Sequence, residues 1–183
     1  MTRRRTSPPS LAYKYYLSLL YILAIANSNI SMARLERKFM QEIKVSLLEA
    51  NTWATILVDG NDYSPRPFDM VTCVDGQMIA IEGKLKKVPS LAFGMKDMRP
   101  SQIKNLDAVV QSGGHSFVFL NLFEPRKMNR LLIFEWNWFK EHTTKLGRSI
   151  YKKELLEFPY LAGAKSMYPG DEIISHIKKS MNN

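Results

Sequence analysis

A single cysteine, Cys73, stands among 183 residues, so no intrachain disulfide can form and a cysteine-rich zinc site is excluded. Cys73 is expected to pack as a small apolar side chain. Histidine is scarce as well: His115, His142 and His176 lie far apart and show no ligand spacing, so none is assigned to a metal. A phosphate-binding glycine loop is missing, because Gly113 and Gly114 stand without the required Lys and Ser/Thr, and no G-x-S-x-G elbow surrounds Ser116. Repeats and low-complexity tracts are absent. Acidic residues are outnumbered by Lys and Arg, 17 to 26, for a net charge of +9. That balance favours a polyanionic partner, nucleic acid or an anionic membrane surface, and says nothing about catalysis.

The apolar run from Leu17 to Ala26 is short for a membrane span. Preceded by Arg3, Arg4 and Arg5 and ending Ala24-Ile25-Ala26, it has the layout of a secretory signal peptide. Met32, however, offers a second start directly before a well-formed helical pattern, and the chain beyond it reads as a basic, cysteine-poor, cytoplasmic domain. Residues 1–31 are therefore expected to be an upstream extension without stable membrane association. Residues 32–159 are expected to form the domain, and 160–183 a tail with a short helix around Ile173, Ile174 and Ile177.

Among the residues that are present, Asp75-Gly76 carries the most information. The dipeptide suits a two-residue type I′ loop between two runs of strand-forming residues. Such a loop pairs Val74 with Gln77, Cys73 with Met78 and, further out, Asp69 with Glu82. Directly opposed carboxylates repel unless something compensates, and a divalent cation would do so. Lys84 returns to the same face because strand side chains alternate. One cation site and one ammonium would then face one phosphate, the layout of a metal-dependent nuclease centre. A solvated hairpin face could carry the same charges. The flanks point the other way: Phe68, Met70, Ile79 and Ile81 give one apolar face, and Val71, Cys73, Met78 and Ala80 make the charged face apolar away from its end, as in a buried central strand pair.

Upstream, Leu35, Phe39, Met40, Ile43, Leu47 and Ala50 follow helical spacing, and Glu36 falls within their stripe, whereas Glu42 and Glu49 fall outside it and are expected at the surface. An inward carboxylate must be paired, protonated or bound to a cation, or it sits in the first turn to meet the helix N-terminus. Downstream, Leu85–Met98 reads as a loop. Pro100 and Ser101 open a helix carrying Ile103, Leu106, Val109 and Val110 on one face, and Gly113-Gly114 stop it. Strands are expected over Ser116–Phe123 and Leu131–Trp136, then a helix over Trp138–Leu146. This order describes an α/β domain with a mixed sheet, because the helix between Lys84 and Ser116 allows a right-handed crossover to a parallel strand.

These residues resemble the PD-(D/E)xK nuclease superfamily, with Pro67-Phe68-Asp69 as a variant of its first element and Glu82-Gly83-Lys84 as its E-x-K element. Ser101-Gln102-Ile103 with Leu106, then Gly113 to Val118, and Arg148 to Tyr151, are similar to segments of RecU-type Holliday junction resolvases. The resemblance covers roughly residues 34–151. It implies a restriction-endonuclease-like core, a central mixed β-sheet flanked by helices. It further implies that Asp69 and Glu82 bind Mg²⁺ or Mn²⁺ with Glu36 assisting, that Lys84 positions the attacking water and stabilises the transition state, and that Gln102 supports the same site. The implied partner is DNA, four-way junctions in particular, cut by a homodimer. Lys86, Lys87, Arg99 and Lys104 are the basic residues expected to contact it.

Three classes of function are compatible with these residues: a Mg²⁺-dependent structure-selective DNA endonuclease, or a less selective nuclease of the same superfamily; a non-catalytic nucleic-acid-binding module; and a membrane-associated protein using Leu11 to Ala26. The joint presence of Asp69, Glu82 and Lys84 favours the first.

Overall fold

The structure, a computed structural model, describes residues 32–58, 66–87, 92–123, 129–145, 149–163 and 167–182. The apolar run from Leu17 to Ala26 lies outside them, as do Arg126, Lys127 and Arg148. The chain divides into two compact units, Met1–Leu35 and Glu36–Asn183. Of the first, residues 32–35 are described and are helical.

Helix α1 occupies 32–49. Phe39, Met40, Ile43 and Leu47 are buried, as their 3.6-residue spacing requires. The strands are β1 (Ala54–Ile56), β2 (Met70–Val74), β3 (Gln77–Lys87), β4 (Ala92–Phe93), β5 (His115–Phe123), β6 (Asn129–Glu135), β7 (Ile150–Tyr151) and β8 (Leu161–Gly163). The remaining helices are α2 (Pro100–Gln111), α3 (Trp136–Lys145), α4 (Lys152–Glu157) and α5 (Gly170–Met181), with a 3₁₀ turn at Met95–Asp97. Six strands form one sheet in the order β1-β2-β3-β5-β6-β8, and β4 pairs with β7 apart from it. Strand β5 runs parallel to β3 and the other pairs are antiparallel, so α2 is the crossover connection. This is the expected α/β architecture, a central mixed sheet flanked by helices.

Both faces of the sheet are covered. On one, α1 and α5 bury Met70, Ile79, Ile81, Phe117, Phe119 and Ile133. On the other, α2 and α3 bury Ala80, Val118, Leu120, Leu132 and Phe134. Strand β5 supplies alternate residues to each core, as expected of a central strand buried on both sides.

Four expectations are corrected. Cys73 is exposed and Met78 is 44% exposed. Pairing of β3 with β5 begins at Ile79, so the hairpin tip projects past the neighbouring strand. Phe68 joins the core on the α2 side, because it sits in the bend before β2 where strand alternation does not hold. Leu85–Met98 is not all loop: β3 runs on to Lys87 because β5 pairs with it as far as Phe123, and Ala92-Phe93 form β4. The segment 160–183 carries the expected short helix, α5, but is not set apart from the domain, since Ile173 and Ile177 are fully buried in the same core as α1.

Candidate active site

The turn that sets the register is the one the sequence prescribes. Asp75 and Gly76 have φ of 51° and 78°, the double positive φ of a type I′ turn. The ladder pairs Met70 with Ile81 and Val74 with Gln77, which carries Asp69 to the level of Glu82 one step beyond its end. The Asp69 amide donates to the Ile81 carbonyl at 3.1 Å, so the chain is fixed there although β2 begins one residue later. Helix α2 secures the bend from the other side, where Asn105 Nδ2 donates to the Pro67 carbonyl at 3.1 Å.

Asp69 and Glu82 are 4% and 1% exposed, which removes the solvated-face alternative. Their partners divide them into two arms. Asp69 Oδ2 accepts from the Gly83 amide at 2.8 Å, and Oδ1 is paired with Arg66 at 2.9 Å. Glu82 Oε1 is paired with Lys84 at 2.9 Å and accepts a short hydrogen bond from Gln102 Nε2. Lys84 also donates to Gln102 Oε1 at 3.1 Å, closing a triangle of Glu82, Lys84 and Gln102. Gln102 Oε1 accepts in addition from the Arg99 amide at 3.0 Å, so the same side chain caps α2 and ties its first turn to β3.

Glu82 Oε2 is buried and has no hydrogen-bond partner. An orphaned carboxylate oxygen is costly, and its cost shows in the proton affinity of the group. Burial, then the neighbouring Asp69 charge, push the Glu82 carboxyl up to about 7 despite the opposing Lys84 ammonium. A hard divalent cation, which takes oxygen ligands from one or two carboxylates and completes its shell with water and phosphate, fits this donor set.

Glu36 is half-buried in the second turn of α1, past the free amides of the helix N-terminus, because the helix starts at residue 32 and not at Leu35. Burial raises its carboxyl above the ordinary value, against Lys84, while Asp69 adds to the rise; the Leu85 amide donates to it. It belongs to the electrostatic environment of the pair. Among the described residues, however, no three His, Cys, Asp or Glu side chains are grouped to hold a metal ion, so the structure does not place Glu36 as a third ligand. Glu42 is also less peripheral than expected: its side chain is 15% exposed and pairs with Lys38 at 3.7 Å. Of the basic residues singled out, Lys87, Arg99 and Lys104 are exposed; Lys86 is half-buried and pairs with Asp97 at 2.5 Å.

Two positions that hold Asp69 carry no signal in the sequence pattern. Arg66 has no periodicity to mark it, only a place three residues before Asp69. Gly83 sits inside the E-x-K triplet, where a Cβ would lie 2.2 Å from Met40 Sδ and 3.3 Å from Asp69 Oδ2. Any side chain here would have to displace Met40 and crowd Asp69. The histidines stay apart from the carboxylates by register or role: His115 opposes Ile79, and His142 stacks on Trp138 at 4.6 Å.

No protein-family model and no curated protein matches the chain. Among solved structures, it is similar to Archaeoglobus fulgidus Hjc, a Holliday junction resolvase from an archaeal hyperthermophile. The identity is 25% over 54% of this chain and 75% of that one, with a TM-score of 0.39.

Proposed function

We propose that the chain is a Mg²⁺-dependent DNA endonuclease of the PD-(D/E)xK type, and specifically a Holliday junction resolvase that nicks branched DNA in recombination and repair. Mn²⁺ would serve in place of Mg²⁺. The observation that carries the reading is the buried, unpartnered Glu82 Oε2 beside Asp69, on a carboxylate whose other oxygen is held by Lys84 and Gln102. Asp69 and Glu82 would hold the cation, which when bound supplies Lewis-acid polarisation of the scissile phosphate.

The protein's own groups do the rest. Gln102 and Glu82 fix the Lys84 ammonium at the rim of the pair, where the Lys84 side chain is 14% exposed. From there it orients the attacking water and neutralises charge that develops on the phosphate oxygens. A water oxygen bonds to phosphorus as one P–O ester bond breaks; one of its protons ends on the departing oxygen, which leaves as a hydroxyl, and the other passes to solvent as the new phosphomonoester ionises, leaving a nicked strand. Glu36 adds negative potential that favours cation entry. Exposed Lys87, Arg99 and Lys104 would meet neighbouring phosphates, a contact that falls off with salt. Two matched nicks in a four-way junction call for a symmetric homodimer.

Shape selectivity is tested by incubating the protein and Mg²⁺ with a four-way junction and with linear duplexes of the same arm sequences. Cutting confined to the junction supports a resolvase; equal cutting of both makes it a general nuclease.

A further inference from the structure

The carboxylate pair is not equally prepared for a cation, and Arg66 is the reason. Asp69 offers two oxygens, of which Oδ2 is committed to the Gly83 amide at 2.8 Å. The other, Oδ1, is held by Arg66 at 2.9 Å. Glu82 keeps Oε2 unpartnered. A cation joining the two carboxylates through their remaining oxygens would therefore meet a guanidinium already on Asp69. Two positive groups on one carboxylate oxygen repel strongly in a buried setting.

The two basic side chains at the site differ in exposure. Lys84 is 14% exposed and is held by both Glu82 and Gln102. The Arg66 side chain is 33% exposed, while that of its partner Asp69 is 6% exposed. Arg66 can therefore turn outward without stranding its own charge in the core, which Lys84 cannot. A guanidinium so released has the planar fork that matches a phosphate.

We propose that Arg66 is a charge placeholder for the cation: it neutralises Asp69 in the metal-free protein and transfers to a phosphate of the bound DNA when the cation takes its place. The inference rests on the proposed metal site at Asp69 and Glu82. It makes cation entry and DNA engagement mutually supportive, because each gives the other's counter-charge a place to go.

The test uses the full 183-residue chain. Mg²⁺ binding to the DNA-free protein is measured by calorimetry for wild type, Arg66→Gln, Arg66→Lys and Asp69→Asn. Junction binding in Ca²⁺ is then measured across a salt series. Gln can still hydrogen-bond Asp69 but carries no charge, so a mere strut predicts unchanged Mg²⁺ affinity in Arg66→Gln. A placeholder predicts several-fold tighter Mg²⁺ binding in Arg66→Gln, near wild-type affinity in Arg66→Lys, and a salt slope for junction binding lower by about one in Arg66→Gln. Unchanged or weaker Mg²⁺ binding in Arg66→Gln, with binding still lost in Asp69→Asn, overturns the role of Arg66 alone. Mg²⁺ binding that survives in Asp69→Asn overturns the metal site itself, and the placeholder with it.

Discussion

The Gly83 amide donates to Asp69 Oδ2 at 2.8 Å, and the missing side chain of Gly83 is what leaves room for the contact. Met40 packs into the space that a Cβ would fill, 2.2 Å from its Sδ. The glycine of the E-x-K triplet thus joins the α1 core to the orientation of a proposed cation ligand.

Gly83→Ala should cost about 1–3 kcal/mol by overpacking in the wild-type background and less in the Met40→Ala background, where the side chain it meets is gone. Urea unfolding of wild type, the two single variants and the double variant measures this. Cleavage should fall in Gly83→Ala by more than its loss of folded protein explains, because Asp69 is displaced too.

The raised proton affinity of Glu82 gives a pH dependence of definite sign. Between its ordinary value of 4.5 and about 7, the native protein holds a proton that the unfolded chain has released. The stability this group contributes is therefore complete below about 4.5 and is lost as pH rises towards 7. Glu36 acts in the same direction, and His176, lowered by burial, in the opposite one. Comparison with Glu82→Gln cancels those backgrounds. In EDTA at pH 8 the variant should be more stable than wild type by on the order of 3 kcal/mol, with the difference vanishing near pH 4.5. Added Mg²⁺ at pH 8 should stabilise wild type and leave Glu82→Gln unchanged.

Lys84→Met should reduce cleavage by roughly 10²–10³-fold, the cost of losing one preorganised charge at a developing anion. Junction affinity should change little. Gln102→Ala should act twice, losing the bonds to Glu82 and Lys84 and the cap on α2, so stability should drop by about 1 kcal/mol along with activity. Single-turnover kinetics and urea midpoints separate the two effects.

Ile173→Ala and Ile177→Ala should each destabilise by about 2–5 kcal/mol, as expected of large-to-small changes in a core. Truncation before α5 should prevent folding. A stable, active truncated protein would show that α5 is an appendage.

Much of this arrangement is legible in the chain because short-range rules decide it. Asp75-Gly76 fixes the register that brings Asp69 to Glu82, and the stripe of Phe39, Met40, Ile43 and Leu47 fixes the buried face of α1. The length between Lys84 and Ser116 allows the parallel crossover. The features that differ depend on distant segments. Cys73 and Met78 look like core until β5 is seen to begin at the level of Ile79. Lys86 and Lys87 look like a loop because charged residues carry no apolar period, although β5 keeps pairing with them. The match of Phe93 to Ile150 joins residues that no local pattern relates. Arg66 is invisible in the chain for a similar reason, since its meaning lies in which Asp69 oxygen Gly83 has already taken.

The proposed cation-dependent cleavage centre at Asp69 and Glu82 is open to a direct test. The direct measurement is cleavage of an end-labelled four-way junction by wild type and Asp69→Asn, each in Mg²⁺, in Ca²⁺ and in EDTA, with junction binding followed in parallel. Cutting should occur with wild type in Mg²⁺ alone, while Asp69→Asn still binds the junction. Undiminished cutting by Asp69→Asn, or cutting by wild type in EDTA, would contradict the account.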